Sequence, residues 1–200
     1  MKTRIIQRRS VATLFCVAIM LLPCPLVRAS DTNAEFTLLQ AKAEKGDAQS
    51  QFELGQVFYS GKFGEATNYL EAVKWFHKAA EQNHATSQNN LGACYANGQG
   101  VAKDEEEAVK WYRKAAEQNF AEAQCNLGVC YYAGEGVTKD YVEAYKWLSL
   151  ASAQGNENAK GAKSALTQKM TPEQIGKGSR LAREFKPGKA LEPGAFAPSR

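Results

Sequence analysis

The chain has little of what enzymes build sites from. Two histidines occur in 200 residues, His77 and His84, and neither has a nucleophile near it in sequence. Thirty-six and 72 residues later, His77 gives way to Arg113 and Ser149, and His84 to Phe120 and Asn156. A surface role fits both better than a catalytic one. No Ser-x-x-Lys occurs, which removes the usual serine-lactamase arrangement. No His/Cys spacing matches a metal site. Gly98-Gln99-Gly100 follows no strand, so it reads as a turn and not as a phosphate cradle. We expect no catalytic residue, no metal and no cofactor. Glu105-Glu106-Glu107 lies in the first turn of a helix, where negative charge complements the helix dipole, and this explains it better than a cation site.

Long apolar runs are absent after residue 29. The one before it, Val11 to Leu22, follows the basic residues Lys2, Arg4, Arg8 and Arg9 and precedes Val27-Arg28-Ala29. It is shorter than the roughly 20 residues a membrane span needs. Residues 1–29 therefore read as a secretory signal cleaved after Ala29, giving a periplasmic or secreted protein with no stable membrane span. An uncleaved N-terminal anchor is the alternative. Ser10-Val11-Ala12 after Arg8-Arg9 is a poor twin-arginine match, and Pro23 before Cys24 argues against a lipoprotein.

A basic face is also missing. Of 25 Lys+Arg, five lie in residues 1–29, and all 21 Asp+Glu lie beyond it, so the remainder is nearly neutral. Within it, residues 30–159 hold 11 basic and 18 acidic residues, and residues 160–200 hold nine and three. An acidic body with a basic tail gives no support to nucleic-acid binding. The tail either meets an acidic partner or keeps the chain end soluble. Cysteine is scarce, with Cys94, Cys125 and Cys130 remaining once Cys16 and Cys24 leave with the signal. Cys94 and Cys130 hold matching places one repeat apart, beyond the ~7 Å Cα separation a disulfide tolerates. Cys125 and Cys130 share one helix and do not meet. We expect no bridge, with Cys94 and Cys130 packing as small hydrophobes.

What the chain has in plenty is repetition. Leu91-Gly92, Tyr95, Gly98, Gly100-Val101, Asp104, Ala108, Trp111 and Ala115 return 36 residues later as Leu127-Gly128, Tyr131, Gly134, Gly136-Val137, Asp140, Ala144, Trp147 and Ala151. Asn68, Ala72, Trp75 and Ala79 precede them by 36, whereas Leu54-Gly55, Phe58 and Gly61 are offset by 37, so one residue is inserted in the Lys62–Thr67 loop. Such a period marks stacked supersecondary units. Gln88, Leu91, Gly92 and Tyr95 recur at three and four, the mark of a helix face. Glycine in a helix costs about 1 kcal/mol relative to Ala, so its return at 55, 92 and 128 predicts a close helix approach. Asn68, Asp104 and Asp140 are N-caps of the second helix. Gly46, Asn83, Asn119 and Gly155 stop it in the left-handed region.

The expected organisation is all-α. A capping helix occupies 30–46, helical-hairpin repeats occupy 47–83, 84–119 and 120–156, and a degenerate repeat with a final capping helix occupies 160–186. In that final helix Thr171-Pro172-Glu173-Gln174 is a capping-box start, and Ile175, Leu181 and Phe185 cover the open end. Residues 187–200 read as a disordered tail.

The pattern Leu-Gly-x-x-Tyr, Gly-x-Gly-Val, Asp, Ala, Trp, Ala-Ala resembles the Sel1-like repeat, a branch of the tetratricopeptide-like α-solenoids. Residues 84–119 and 120–156 match nearly throughout, and 47–83 departs in its loop, at Lys62-Phe63-Gly64-Glu65. The resemblance implies a right-handed α-α solenoid with a concave groove, and a role as an adaptor or scaffold that binds a protein or peptide. Tetratricopeptide packing assigns the groove to Gln49, Phe52, Gln56 and Tyr59 in repeat one. It assigns Thr86, Asn89, Ala93 and Ala96 in repeat two, and Glu122, Cys125, Val129 and Tyr132 in repeat three. Phe52, Tyr59 and Tyr132 are the expected anchors, since aromatics dominate interface energies. The alternative reading is a relative of the cysteine-rich branch that binds or hydrolyses β-lactams. That branch pairs cysteines eight apart, and this chain has Ala80, Gln88, Ala116 and Gln124 at those places. The sequence is silent on oligomeric state.

Overall fold

The computed structural model describes residues 29–188. Residues 1–28 and 189–200, which hold the expected signal up to its last residue and most of the expected tail, lie outside the described residues. The described chain is helical throughout, with α1 (Ala29–Glu44), α2 (Ala48–Ser60), α3 (Tyr69–Glu81), α4 (Ala85–Asn97), α5 (Glu105–Glu117), α6 (Ala121–Ala133), α7 (Tyr141–Ala153), α8 (Glu157–Thr167) and α9 (Pro172–Glu184). The hairpins α2–α3, α4–α5 and α6–α7 stack in sequence order, each second helix also packing on the first helix of the next hairpin. The result is an α-α solenoid.

Local chemistry sets the helix ends. Asn68, Asp104 and Asp140 accept hydrogen bonds from the backbone amides of Glu71, Glu107 and Glu143 at 3.1, 2.9 and 3.1 Å. These satisfy donors that the first turn leaves without a partner. Asn83 and Asn119 stand at φ of 62° and 66° just past α3 and α5, in the places Gly46 and Gly155 take after α1 and α7. Thr171 and Gln174 close the capping box of α9. The linking loop ends on the same bond in each repeat, from Asn68, Asp104 and Asp140 amides to Phe58, Tyr95 and Tyr131 carbonyls at 2.8, 3.0 and 3.0 Å. The extra residue of the first loop is absorbed before that bond.

Close approach within each hairpin explains the recurring helical glycine. A Cβ on Gly55 would lie 2.6 Å from the Phe76 ring, on Gly92 2.8 Å from the Tyr112 ring, and on Gly128 2.7 Å from Leu148. The backbone presses as well, with Ala108 O 3.1 Å from a Cβ on Gly92. The bulky second-helix residue is thereby buried against bare backbone, and Phe76, Tyr112 and Leu148 are 1%, 6% and 1% exposed.

A polar tie runs between the hairpins. Gln51, Gln88 and Gln124 are buried, and each donates its side-chain amide to the carbonyl eight residues back, Ala43, Ala80 and Ala116, at 3.1, 3.0 and 3.1 Å. Each also accepts, at 2.8, 2.7 and 2.8 Å, from the side-chain amide of the residue ending its own second helix, Gln82, Gln118 and Gln154. One side chain therefore joins three helices. Cys94, Cys125 and Cys130 are free and buried. Burial pushes the thiols of Cys94 and Cys130 up to about 11, so both remain protonated and pack as hydrophobes.

The C-terminal end of the solenoid is closed. Helix α9 turns back onto α7. Gly178 lies where a Cβ would be 2.9 Å from Tyr145, and Phe185 meets Trp147 edge-on at 5.4 Å. Ile175 and Leu181 are half-buried.

Two glycine substitutions are expected to move stability in opposite directions. Gly161, exposed on α8, has nothing within 4 Å of an added Cβ, so Gly161→Ala gains the helix propensity of about 1 kcal/mol. Gly92→Ala gains the same propensity but drives a methyl into the Tyr112 ring and the Ala108 carbonyl. It is expected to destabilise by about 1–3 kcal/mol net. Urea denaturation of both variants checks the sign.

Candidate partner-binding surface

The first helices α2, α4 and α6 carry the residues assigned to the groove, and the structure sorts them by availability. Gln49, Tyr59, Glu122 and Val129 are exposed, and Phe52, Gln56, Asn89 and Tyr132 are half-buried. Thr86, Ala93 and Ala96 are half-buried as well. Cys125 is a correction, because its side chain is only 7% exposed and lies in the core, where it offers nothing to a partner. Asn89, at the same level of α4, accepts from Asn126 of α6 at 2.9 Å.

The expected anchors are held by intramolecular contacts. Phe52 packs on Phe76 at 6.1 Å and on His84 at 5.0 Å. Tyr59 meets Tyr69 edge-on at 5.1 Å, and its hydroxyl donates to Gln99 at 3.0 Å. Tyr132 stacks on Tyr141 at 5.9 Å, and the Lys169 ammonium both covers the ring and donates to the hydroxyl. These contacts fix the rings while leaving part of each in solvent. Gln56, Tyr59, Phe76, Asn90 and Ala93 enclose a hollow of about 140 Å³ between α2 and α4. It is the size of one apolar side chain, with two amides at its edge.

A larger cleft, of about 590 Å³, opens between α1 and α2. Leu38 and Leu39 of α1 face Phe52 and Val57 of α2, with Phe63 at one end. Glu35, Lys42, Glu53 and Lys62 stand around it. Five exposed large hydrophobics fall in residues 38–70, namely Leu38, Tyr59, Phe63, Tyr69 and Leu70, against Val129 elsewhere among the described residues. The exposed apolar surface is thus concentrated at the N-terminal end.

Phe63 shows how the repeat is altered there. It takes the left-handed conformation, φ 56°, of Gly100 and Gly136 in the later loops. Gly100 needs to be bare, since a Cβ would lie 2.2 Å from the Tyr69 carbonyl at the start of the preceding repeat's second helix. Phe63 carries a side chain at this place, and its ring meets Phe36 of α1 at 6.3 Å. In sequence this departure is visible only as a loop change. Its meaning depends on which backbone lies under the loop, which sequence does not display.

Both histidines have structural roles. His77 sits by Glu81 at 3.4 Å and against Trp111. His84 caps α4, its Nδ1 accepting from the Ser87 amide at 3.3 Å while Nε2 meets the Gln49 side-chain oxygen at 3.1 Å. That pattern requires the neutral ring with its proton on Nε2. Burial lowers the His84 pKa below the ordinary value, in the same sense. The folded chain therefore takes up this proton later than the unfolded chain as pH falls. The stability it contributes is full above about pH 6.5 and declines below that. The urea midpoint is expected to drop between about pH 7.5 and 5.5 by more in the native chain than in His84→Asn, which caps without titrating in that range.

Comparison with known proteins agrees with this geometry. The Sel1 repeat family model matches residues 48–84, 85–120 and 121–156. A solved Sel1 repeat protein from Oxalobacter formigenes is 41% identical, with a TM-score of 0.60, over 66% of this chain and 98% of that one. The protective antigen c5321 of uropathogenic Escherichia coli, described as displaying an SLR fold, is 29% identical with a TM-score of 0.58, over 75% of this chain and 40% of that one. Helicobacter pylori cysteine rich protein B is 27% identical with a TM-score of 0.52, over 67% and 96%. Among curated proteins, the Arabidopsis thaliana ERAD-associated E3 ubiquitin-protein ligase component HRD3A is 31% identical over 70 residues, 35% of this chain. This chain spans about a tenth of the length of that relative. With three contiguous matches covering more than half of its residues, the chain belongs to the Sel1 repeat family.

Proposed function

We propose that the protein is an exported, non-catalytic adaptor that binds a protein or peptide partner on the face formed by its first helices. The observation that carries this reading is the concentration of part-exposed, rigidly held aromatics and side-chain amides on α2 and its neighbours. Fixed aromatic rings offer contact area at low entropic cost, and amides satisfy the backbone of an extended or helical peptide. The relative HRD3A is named as a component of a ligase assembly, and a role within an assembly fits a repeat surface of this kind. His84 serves a helix cap, and His77 lies beside Glu81 at the surface. A β-lactam-directed reading draws no support from the positions where the cysteine-rich branch pairs its thiols, since glutamine amides bond alanine carbonyls there. Export rests on residues 1–29, and intact-mass measurement of the chain recovered from cells is expected to show Ser30 as its first residue.

Proximity labelling in the native compartment tests the adaptor role. The native chain is compared with Phe52→Ala/Tyr59→Ala/Tyr132→Ala, checked for folding by circular dichroism. A partner labelled by the native chain is expected to fall at least about tenfold with the triple variant, since each buried aromatic anchor is worth about 1 kcal/mol or more. Equal labelling by both chains removes this face as the binding site.

A further inference from the structure

The joint between the first two hairpins is capped differently from the others. The residue before each first helix is Asp47, His84 or Phe120, and Asn156 stands before α8. Asp47 and Asn156 accept from the amides of Ser50 and Ala159 at 2.7 and 2.9 Å, and Phe120 makes no side-chain cap. Of these four side chains only the imidazole changes charge between pH 5 and 8. It also does more than cap. The His84 ring lies 5.0 Å from the Phe52 ring, its Nε2 donates to Gln49 at 3.1 Å, and Gln49 in turn donates to Glu53 at 2.8 Å. Phe52 and Gln49 belong to the face assigned to the partner. One titratable side chain therefore holds both the start of α4 and two residues of that face.

We propose that His84 is a pH-sensitive latch on the partner-binding face, whose protonation releases Phe52 and Gln49 and loosens the N-terminal end of that face in mild acid. The proposal rests on the adaptor reading and adds its regulation. The geometry supplies the reason. An imidazolium carries a proton on Nδ1 as well as on Nε2. The Ser87 hydroxyl, 2.9 Å away, can turn to accept it, but the Ser87 amide, at 3.3 Å, is left facing a donor. Ser87 is wholly buried, so water does not reach that amide while the ring stays in place. The positive end of the α4 dipole opposes the new charge as well. Departure of the ring opens the first turn to water and returns the cation to solvent. It leaves Phe52 with Phe76 as its remaining ring contact among the described residues. Attraction of the cation to the Phe52 ring works the other way. That single contact, at an inclination of 37°, stands against a lost amide bond, the helix dipole and the burial of a charge.

Neighbouring charges do not rescue the cation. Helix α4 has none, and α2 contributes Glu53, with Asp47 at its cap. The end of α3 contributes Lys78 and Glu81, and the end of α5, which returns past the start of α4, contributes Lys114 and Glu117. Asp47 is held by the Ser50 amide, the two lysines lie over Trp75 and Trp111, and Glu81 stands beside His77. Burial is what moves the His84 titration, and it moves it downward.

The test is a pH titration of the intact, isotope-labelled chain followed by NMR, and it needs no partner. The His84 ring protons are expected to titrate with a midpoint below about 6.5. The nuclear Overhauser effect between the His84 and Phe52 rings is expected at neutral pH. One pH unit below the midpoint, where about nine-tenths of the rings are protonated, it should fall at least about fivefold. Hydrogen exchange at the Ser87 amide should quicken over the same range. In His84→Asn the Phe52 and Gln49 signals should stay constant across it. A ring-to-ring effect that keeps its strength through the titration overturns the proposal. So does a midpoint at or above about 6.5, since the folded chain would then favour the cation in place. Phe52 signals that move equally in His84→Asn overturn it too, by placing the cause in another group. None of these results bears on the adaptor reading, which the labelling experiment judges separately.

Discussion

Everything in this solenoid hangs on the buried glutamine at the start of each first helix. Taken alone, an uncharged amide at 0–5% exposure is a cost, since a polar group without partners loses its water for nothing. In each hairpin both ends of the amide are used. Its nitrogen reaches the last turn of the preceding second helix, where the Ala80 carbonyl also accepts the Asn83 backbone amide, and its oxygen takes the amide that ends its own second helix. The bond is satisfied only when three helices meet in one register. Apolar contacts among Ala, Leu and Trp supply the bulk of the attraction, but they are non-directional and tolerate sliding. The glutamines fix where each hairpin stops against the last.

The same geometry clarifies the relation to the cysteine-rich members of the family, whose paired positions correspond in this chain to alanine and glutamine. The spacing of eight residues from the end of one helix to the start of the next is kept. What crosses it is a hydrogen bond from the glutamine amide to the alanine carbonyl. Such a connection is indifferent to redox conditions, and this accords with three cysteines that are buried and free, two of them held protonated by burial.

Much of this architecture was legible as letters. Asn68, Asp104 and Asp140 announce caps, Asn83 and Asn119 announce stops, and Thr171 to Gln174 announces a capping box, because each acts on backbone within three residues. Gly92 was legible as a point of close approach, though Tyr112 as its neighbour was not. The glutamine tie left a signal, its 36-residue recurrence, but a polar residue on an apolar helix face reads as exposed until the carbonyl it meets is known. Burial of Cys125 was illegible for a related reason. Helical register assigns a face, and the distance between adjacent first helices decides whether that face is open.

The most direct measurement is a double-mutant cycle on Gln88 and Gln118, read by urea denaturation of Gln88→Ala, Gln118→Ala and the double variant. The two side chains meet at 2.7 Å across the hairpin, with Gln88 almost wholly buried. A coupling energy of about 1 kcal/mol or more is predicted, because removing Gln118 takes the side-chain donor from the buried Gln88 oxygen. Additive losses within about 0.3 kcal/mol would mean that the two amides do not act together across the hairpin, and would contradict the three-helix tie assigned to Gln88.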